Sequence, residues 1–554
     1  MTKIINVQEL FPEAQLKSYT QINLKLGLPI DNNDERLNLW RDSLLKNYSW
    51  PSIADSHTKK LVNRHQVFSL QFYLEVVRFL FEAVKVPLFE PPKVNAIEGN
   101  SENAEGKLEV TISLRQFEQF PKAITVNTIR FSQHLFEYLI DNDPDTDGIE
   151  RLFASVDKLL VSPLSNFVYG STSAVPILKE AYRQDVPYEH VGAGVYSLGW
   201  GSRSIRLQAS ACHLDSALGT KLAQNKAITA SLIRTAGLPA PEHFVVTTKR
   251  QAQLAVEKLQ FPIVVKPLDR DRGEGVFVDI SDEAQLYSAF AKCQKVAGSD
   301  QVILERQVHG VCHRFLVVNR KVIYVIRRDP ISVIGDGKTS IADLVNEEVS
   351  KQRIKPPWER SPIKPIDTIA KDTLQKLGYN KESVPEEGAR IPLRPIQSAQ
   401  WGGSPQDVTE MTHDENLEIA VRSADLFNLY VVGVDIISPD ISKPWHTNGA
   451  IINEVNFKPQ IGSTISQAYI PQVLTQLIDG DGKIPIESFA TEEAAKARQK
   501  HYCDRGYRCF LTAADMTIDF LGNQLVMPFN ALRPRVRALI CRSDVDAIVV
   551  CDPQ

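Results

Sequence analysis

Two β-branched runs, GVDIISPD (433–440) and INEVNFKP (452–459), carry carboxylates where a buried strand would ordinarily carry only apolar side chains. An ionised carboxylate is costly to bury unless it is paired or bound to a metal. Side chains alternate along a strand, so Glu454 and Asn456 share one face. Asp435, Glu454 and Asn456 therefore stand out as polar residues in otherwise apolar strands. Two carboxylates and an amide oxygen suit Mg²⁺, which takes few protein oxygens and leaves places for substrate phosphates. A buried ion pair or a sheet face open to water is the alternative that the residues alone leave open.

A second stretch supplies cations. In VVKPLDRDRGEGV (264–276) a β-rich run puts Lys266 at a strand end, ahead of a loop holding Arg272, Gly273 and Gly275. Glycines let backbone N–H groups close on phosphate oxygens. Upstream, Lys226 falls in a run read as one helix over 221–237, ended by Gly237 and Pro239. Two lysines can pinch nucleotide phosphates as point charges. VILERQVHG (302–310) reads as a strand running into a turn, where Glu305 and the backbone through Val308 can meet an adenine edge. Each feature also has a plainer reading: a solvated lysine, a common glycine turn, a surface-strand carboxylate.

Other motifs fall away. GDGKTS (335–340) has Ser332 where G-x-x-x-x-G-K-[ST] needs glycine, and GDGK (480–483) fails too. His309 and His313 have Gly310 in place of the glutamate of H-E-x-x-H, on a segment read as turn and strand. No G-x-S-x-G elbow is present.

With 554 residues, two to four domains are expected. Sixty-three basic and 67 acidic residues leave a net charge of -4, which gives no reason to expect a nucleic-acid or membrane partner. The seven cysteines are scattered without C-x-x-C, which suggests reduced thiols rather than zinc or disulfides. Residues 68–89 are apolar but carry Glu75, Arg78, Glu82 and Lys85, so a packed helix is expected there. The first residues lack a signal-peptide stretch, and a cytoplasmic protein is expected. Mixed helices, strands and hairpins, one turning at Asn319–Arg320, predict an α+β, multidomain chain.

Taken in order, LGWGSRSIRLQAS (198–210), FPIVVKPLDRDRGEGV (261–276), GDGKTSIADLV (335–345), DVTEMTHDENLEIAVRSADLF (407–427) and GVDIISPDISKPWHTNGAIINEVN (433–456) resemble the ATP-grasp superfamily. Within it the chain is similar to cyanophycin synthetases, in the truncated single-site form without the Mur-ligase P-loop. The resemblance implies an amino-terminal α+β domain (1–160), a central ATP-grasp ligase domain (161–486) and a Mur-like remnant (487–554). It implies ATP and Mg²⁺, an amide formed through an acyl phosphate, and a homo-oligomer acting on amino acids or peptides such as β-Asp-Arg and a cyanophycin primer. In that frame Lys226, Lys266, Arg272, Gly273, Gly275, Glu305 and Val308 bind nucleotide, and Asp435, Glu454 and Asn456 bind metal. Arg314 and Arg394 steady the acyl phosphate. The chain departs from the family at Arg272 (usually His), Cys312 (usually acidic), Ser398 (usually Asn) and VNFKPQIG (usually a VNAAPG-like run).

Overall fold

The period-2 alternation of VVGVDIIS and its neighbours becomes a sheet with one apolar and one polar face. The computed structural model describes residues 19–29, 34–45, 64–98, 107–117, 120–165, 167, 173–268, 270, 273–397 and 402–552. Arg272 and Ser398 lie outside them. Two units form, residues 1–208 with 478–554, and residues 209–477. Residues 161–208 and 478–486, assigned above to the central segment, group with the first unit.

In the second unit α1 (Ala217–Ala223) and α2 (Lys226–Thr235) precede an antiparallel four-stranded sheet. That sheet comprises β1 (His243–Val246), β2 (Ile263–Pro267), β3 (Phe277–Ile280) and β4 (Val302–Arg306), in the order β3-β2-β4-β1. Val265 and Leu304 point into a core with α3 (Lys249–Leu259) and α4 (Glu283–Val296), which leaves Lys266 and Glu305 on the other face. The helix expected over 221–237 is in fact two. Asn225 caps α2 by accepting from the Ile228 amide at 3.0 Å, as asparagine at an N-cap does, so Lys226 stands at a helix start.

The antiparallel five-stranded sheet runs β7-β6-β5-β8-β9, from β5 (Val311–Val318), β6 (Lys321–Pro330), β7 (Gly403–Asp407), β8 (Val431–Ser438) and β9 (Ile451–Phe457). Phe315, Val317, Val432, Val434, Ile436 and Ile452 pack with Ile419, Ala420 and Ala424 of α5 (Asp414–Leu426). Between β6 and β7, strands Ser332–Ile334 and Arg390–Pro392 and helices Ile341–Arg353 and Thr368–Lys376 form a small core of their own. There GDGKTS is a turn: Asp336 accepts from the Lys338 and Thr339 amides, and Ser340 caps the helix that follows.

In the first unit a three-stranded sheet (Tyr19–Pro29, Lys107–Phe117, Lys93–Glu98) accompanies helices Arg64–Ala83 and Lys122–Asp141, whose Tyr73 and Phe136 meet edge to face. Among the described residues no helix is long and apolar enough to cross a membrane. The last residues form strands Ile486–Phe489, Ala547–Cys551 and Cys509–Thr512 in parallel, with Thr517–Ile518 antiparallel at the edge.

Candidate functional site

Two bulges decide which charges the five-stranded sheet presents. On β9, Ile452 pairs with Ile436 and Glu454 with Asp435, so Asn453 is the extra residue. The bulge keeps Ile452 and Val455 in the apolar core while Glu454 and Asn456 face the opposite side with Asp435. On β6 the register slips between Val317–Val322 and Leu316–Tyr324, and Ile323 is extra. Arg328 therefore stands opposite Cys312, on the face that carries Arg314 and Asp435. Had the ladder run unbroken from the hairpin, parity would have put Arg327 there.

Arg314 lies opposite Asp435 and grips it with Nε and Nη2, the latter at 2.8 Å. Arg328 Nη1 comes within 4.0 Å of the same carboxylate, and Asn456 Nδ2 donates to it at 3.1 Å. Burial works against the Asp435 charge, but Arg314 and these neighbours hold its carboxyl below the usual range. Gly433 makes the fit: a Cβ there would stand 3.1 Å from the Arg314 side chain and 3.1 Å from Pro459.

Glu454 behaves in the opposite way. Burial pushes its carboxyl above the ordinary value and Asp435 adds to that, while Lys226, Lys266 and Arg314 pull it down. A carboxylate destabilised beside a second carboxylate is what a bound dication relieves. With the Asn456 amide, the donor set is the all-oxygen one that Mg²⁺ prefers. A cleft of ≈ 370 Å³ opens here, lined among others by Lys226, Thr229, Asn453, Glu454, Asn456 and Phe457.

Lys266 and Glu305 form a buried ion pair at 2.8 Å. Lys226 Nζ donates to the Arg270 carbonyl at 2.7 Å, which fastens the loop leading to Gly273 and Gly275. Both glycines have positive φ, +78° and +71°, the left-handed backbone that favours glycine. Val308 is half-buried in the connection between β4 and β5. Arg394 is buried, donating to Asp367 and to the Leu393 carbonyl. His313 faces the core side, where burial and Arg327 push it down to about 4, and it stays neutral. Among the described residues no group of three or more His, Cys, Asp or Glu is placed to hold a metal, so a metal here would need the Asn456 amide. Reading the sequence missed Arg328 and the helix-start position of Lys226. The asparagine before Lys226 is a cap signal, whereas nothing in the sequence announces the Ile323 bulge.

No family model matches the chain. The cyanophycin synthetase of Trichormus variabilis is 32% identical over 328 residues, which cover 57% of this chain and 36% of that protein. The glutathione biosynthesis bifunctional protein GshAB of Desulfotalea psychrophila is 27% identical over 264 residues, 47% of this chain and 34% of that protein. A crystal structure of a bifunctional glutathione synthetase from Pasteurella multocida aligns with a TM-score of 0.43 and 16% identity, covering 80% of this chain and 76% of that one. The chain thus spans about a third of the length of the curated relatives it matches. The likeness to cyanophycin synthetases carried by the motifs is matched by sequence similarity over about half the chain.

Proposed function

We propose that this chain is an ATP-dependent carboxylate–amine ligase of the ATP-grasp kind. What supports it most is that Asp435, Glu454, Asn456 and Arg314 share one sheet face while Lys226 and Lys266 both act on Glu454. Asp435, Glu454 and the Asn456 oxygen would hold Mg²⁺, which supplies charge neutralisation at the nucleotide phosphates. Lys226, Lys266 and the Gly273–Gly275 loop hold those phosphates, Arg272 joins them, and Glu305 with the backbone at Val308 receives the base. Arg314 commits Nε and Nη2 to Asp435 and keeps Nη1 for the phosphoryl oxygens, with Arg328 beside it. We assign Arg394 to the same developing charge.

A substrate carboxylate oxygen attacks the γ-phosphorus and the bond to ADP breaks. An amine nitrogen then bonds to the acyl carbon, phosphate leaves with the carbon–oxygen bonding pair, and the amine proton passes to phosphate or water. The work of the site is positioning and charge neutralisation. We take the substrates to be β-Asp-Arg and a cyanophycin primer, with whole dipeptides added, and the parts 1–160, 161–486 and 487–554 to be the amino-terminal, ligase and Mur-like segments. Resemblance and similarity to cyanophycin synthetases support both readings. Similarity to a glutathione-biosynthesis protein supports a second reading, ligation of another amino acid or peptide. Purified chain is given Mg²⁺, ATP and β-Asp-Arg with primer, or free Asp, Arg, Glu and Lys. ADP and phosphate with a growing polymer from the dipeptide alone are expected. Release with another amine only would favour the second reading, and AMP with pyrophosphate would refute both.

A further inference from the structure

We propose that the substrate bearing the carboxylate is an extended peptide whose main chain pairs with the open edge of β9. The side-chain amides of Gln224 and Asn453 meet its peptide groups, and the inference rests on the ligase reading. β9 is the last strand of its sheet, and a strand in that position presents N–H and C=O groups on its outer side. At its start the chain itself covers that edge, because the Ile452 amide donates outward to the Pro239 carbonyl at 2.9 Å. Beyond that bond the cleft opens, lined by five consecutive residues, Asn453 to Phe457. Successive side chains of a strand point to opposite faces, so an unbroken run along a cleft wall means that the cleft follows the edge of the strand.

The rest of the wall comes from the end of α1, its link to α2 and the first turn of α2, including Gln224, Lys226 and Thr229. Thr229 commits its hydroxyl to the Leu222 carbonyl at 3.1 Å. Among the described residues, neither the Gln224 nor the Asn453 side-chain amide has a hydrogen-bond partner. Each offers donors and an acceptor without charge. A peptide group, neutral and with one donor and one acceptor of its own, matches them, whereas a phosphate oxygen would use the donors alone. Glu454 and Asn456, which the ligase reading gives to the metal, belong to the same five residues. A peptide lying along β9 therefore brings its terminal carboxylate to the phosphates. Edge pairing reads main chain, so it favours a peptide over a free amino acid, which has no peptide group to pair.

Calorimetry on the full chain, loaded with Mg²⁺ and a non-hydrolysable ATP analogue, tests this. The probes are a short cyanophycin primer and the same primer N-methylated at its main-chain amides, which keeps every carboxylate and removes the pairing N–H groups. Wild type is expected to bind the parent primer about tenfold or more tighter than the methylated one. Gln224→Ala, at an exposed helix end, and Asn453→Ala should each weaken binding of the parent primer by about threefold or more, with affinity for the ATP analogue unchanged. Equal binding of the two primers by wild type, or parent affinity retained in either variant, overturns the proposal. ADP release with β-Asp-Arg as the amine is followed in parallel. Discrimination between the primers without ADP from any amine would sink the ligase reading and uphold the peptide site, whereas ADP release without discrimination would do the reverse.

Discussion

Glu487 near the end of the chain and Glu454 on β9 are both glutamates on short strands, and they live in opposite surroundings. Glu487 accepts from Arg498 Nε and Nη2, each at 2.7 Å, and from Tyr502 at 2.8 Å. These bonds, Arg498 first, hold its carboxyl below the usual range. Its neighbourhood repeats the pattern: Arg508 grips Asp546 with two bonds of 2.9 Å, and buried Arg535 donates to three backbone carbonyls and to Thr517. Glu454 is instead pushed up, with cations near enough to act on it and a cleft in front. A charge closed off by fixed partners with no cleft beside it is scaffolding, whereas one left to be balanced by something from solvent marks a site.

The sharpest way to break this comparison is to remove the unbalanced carboxylate. Glu454→Ala should lower turnover on the order of a thousandfold, with unfolding unchanged, because charge stabilisation worth several kcal/mol goes with the metal. Steady-state ADP release and a denaturant midpoint measured together check it. Lys266 and Glu305 lie between the two classes, since they are paired to each other yet sit at the site. Lys266→Met should destabilise by about 3–5 kcal/mol, because a buried carboxylate is left alone, while Lys266→Met with Glu305→Leu should recover most of the stability and none of the turnover. Recovery of turnover would place Lys266 with the scaffold. Arg498→Ala should cost about 1 kcal/mol and leave turnover per folded molecule unchanged, as measured by activity against the folded fraction.

The smallest effect concerns pH. Because the fold raises the Glu454 pKa, the contribution of this group to stability is present below the unfolded glutamate value and is lost as pH rises through the raised one. Metal-free Glu454→Gln should therefore be slightly more stable than wild type at neutral pH. The difference should vanish in acid, and thermal melts across that range check it.

The grouping of Glu454 with Asn456 was legible because period-2 alternation alone puts them on one face, and the turn at Asn319–Arg320 was legible because asparagine takes positive φ more readily than most residues; the two turn residues have φ of +49° and +62°. What escaped reading was set by single inserted residues. Ile323 chooses Arg328 over Arg327, and Asn453 chooses which neighbours of Glu454 enter the core. Neither the hairpin turn beside Ile323 nor the residues around Asn453 carry a local pattern that announces the insertion. The run MTIDFLGNQLVMPF (516–529) reads as a hairpin turned by Gly522–Asn523, and a short one forms: Ile518 bridges Gln524, the Leu525 amide donates to the Thr517 carbonyl, and Asp519 gathers the amides of Leu521 and Asn523.

The central claim is that Asp435, Glu454 and Asn456 bind a metal that carries nucleotide phosphates, and calorimetric titration of ATP with and without Mg²⁺ tests it most directly. Wild type should bind ATP at least about tenfold more tightly with Mg²⁺ than with chelator, and Glu454→Gln should bind weakly and alike in both. A Glu454→Gln protein that keeps the full Mg²⁺ dependence would contradict the account.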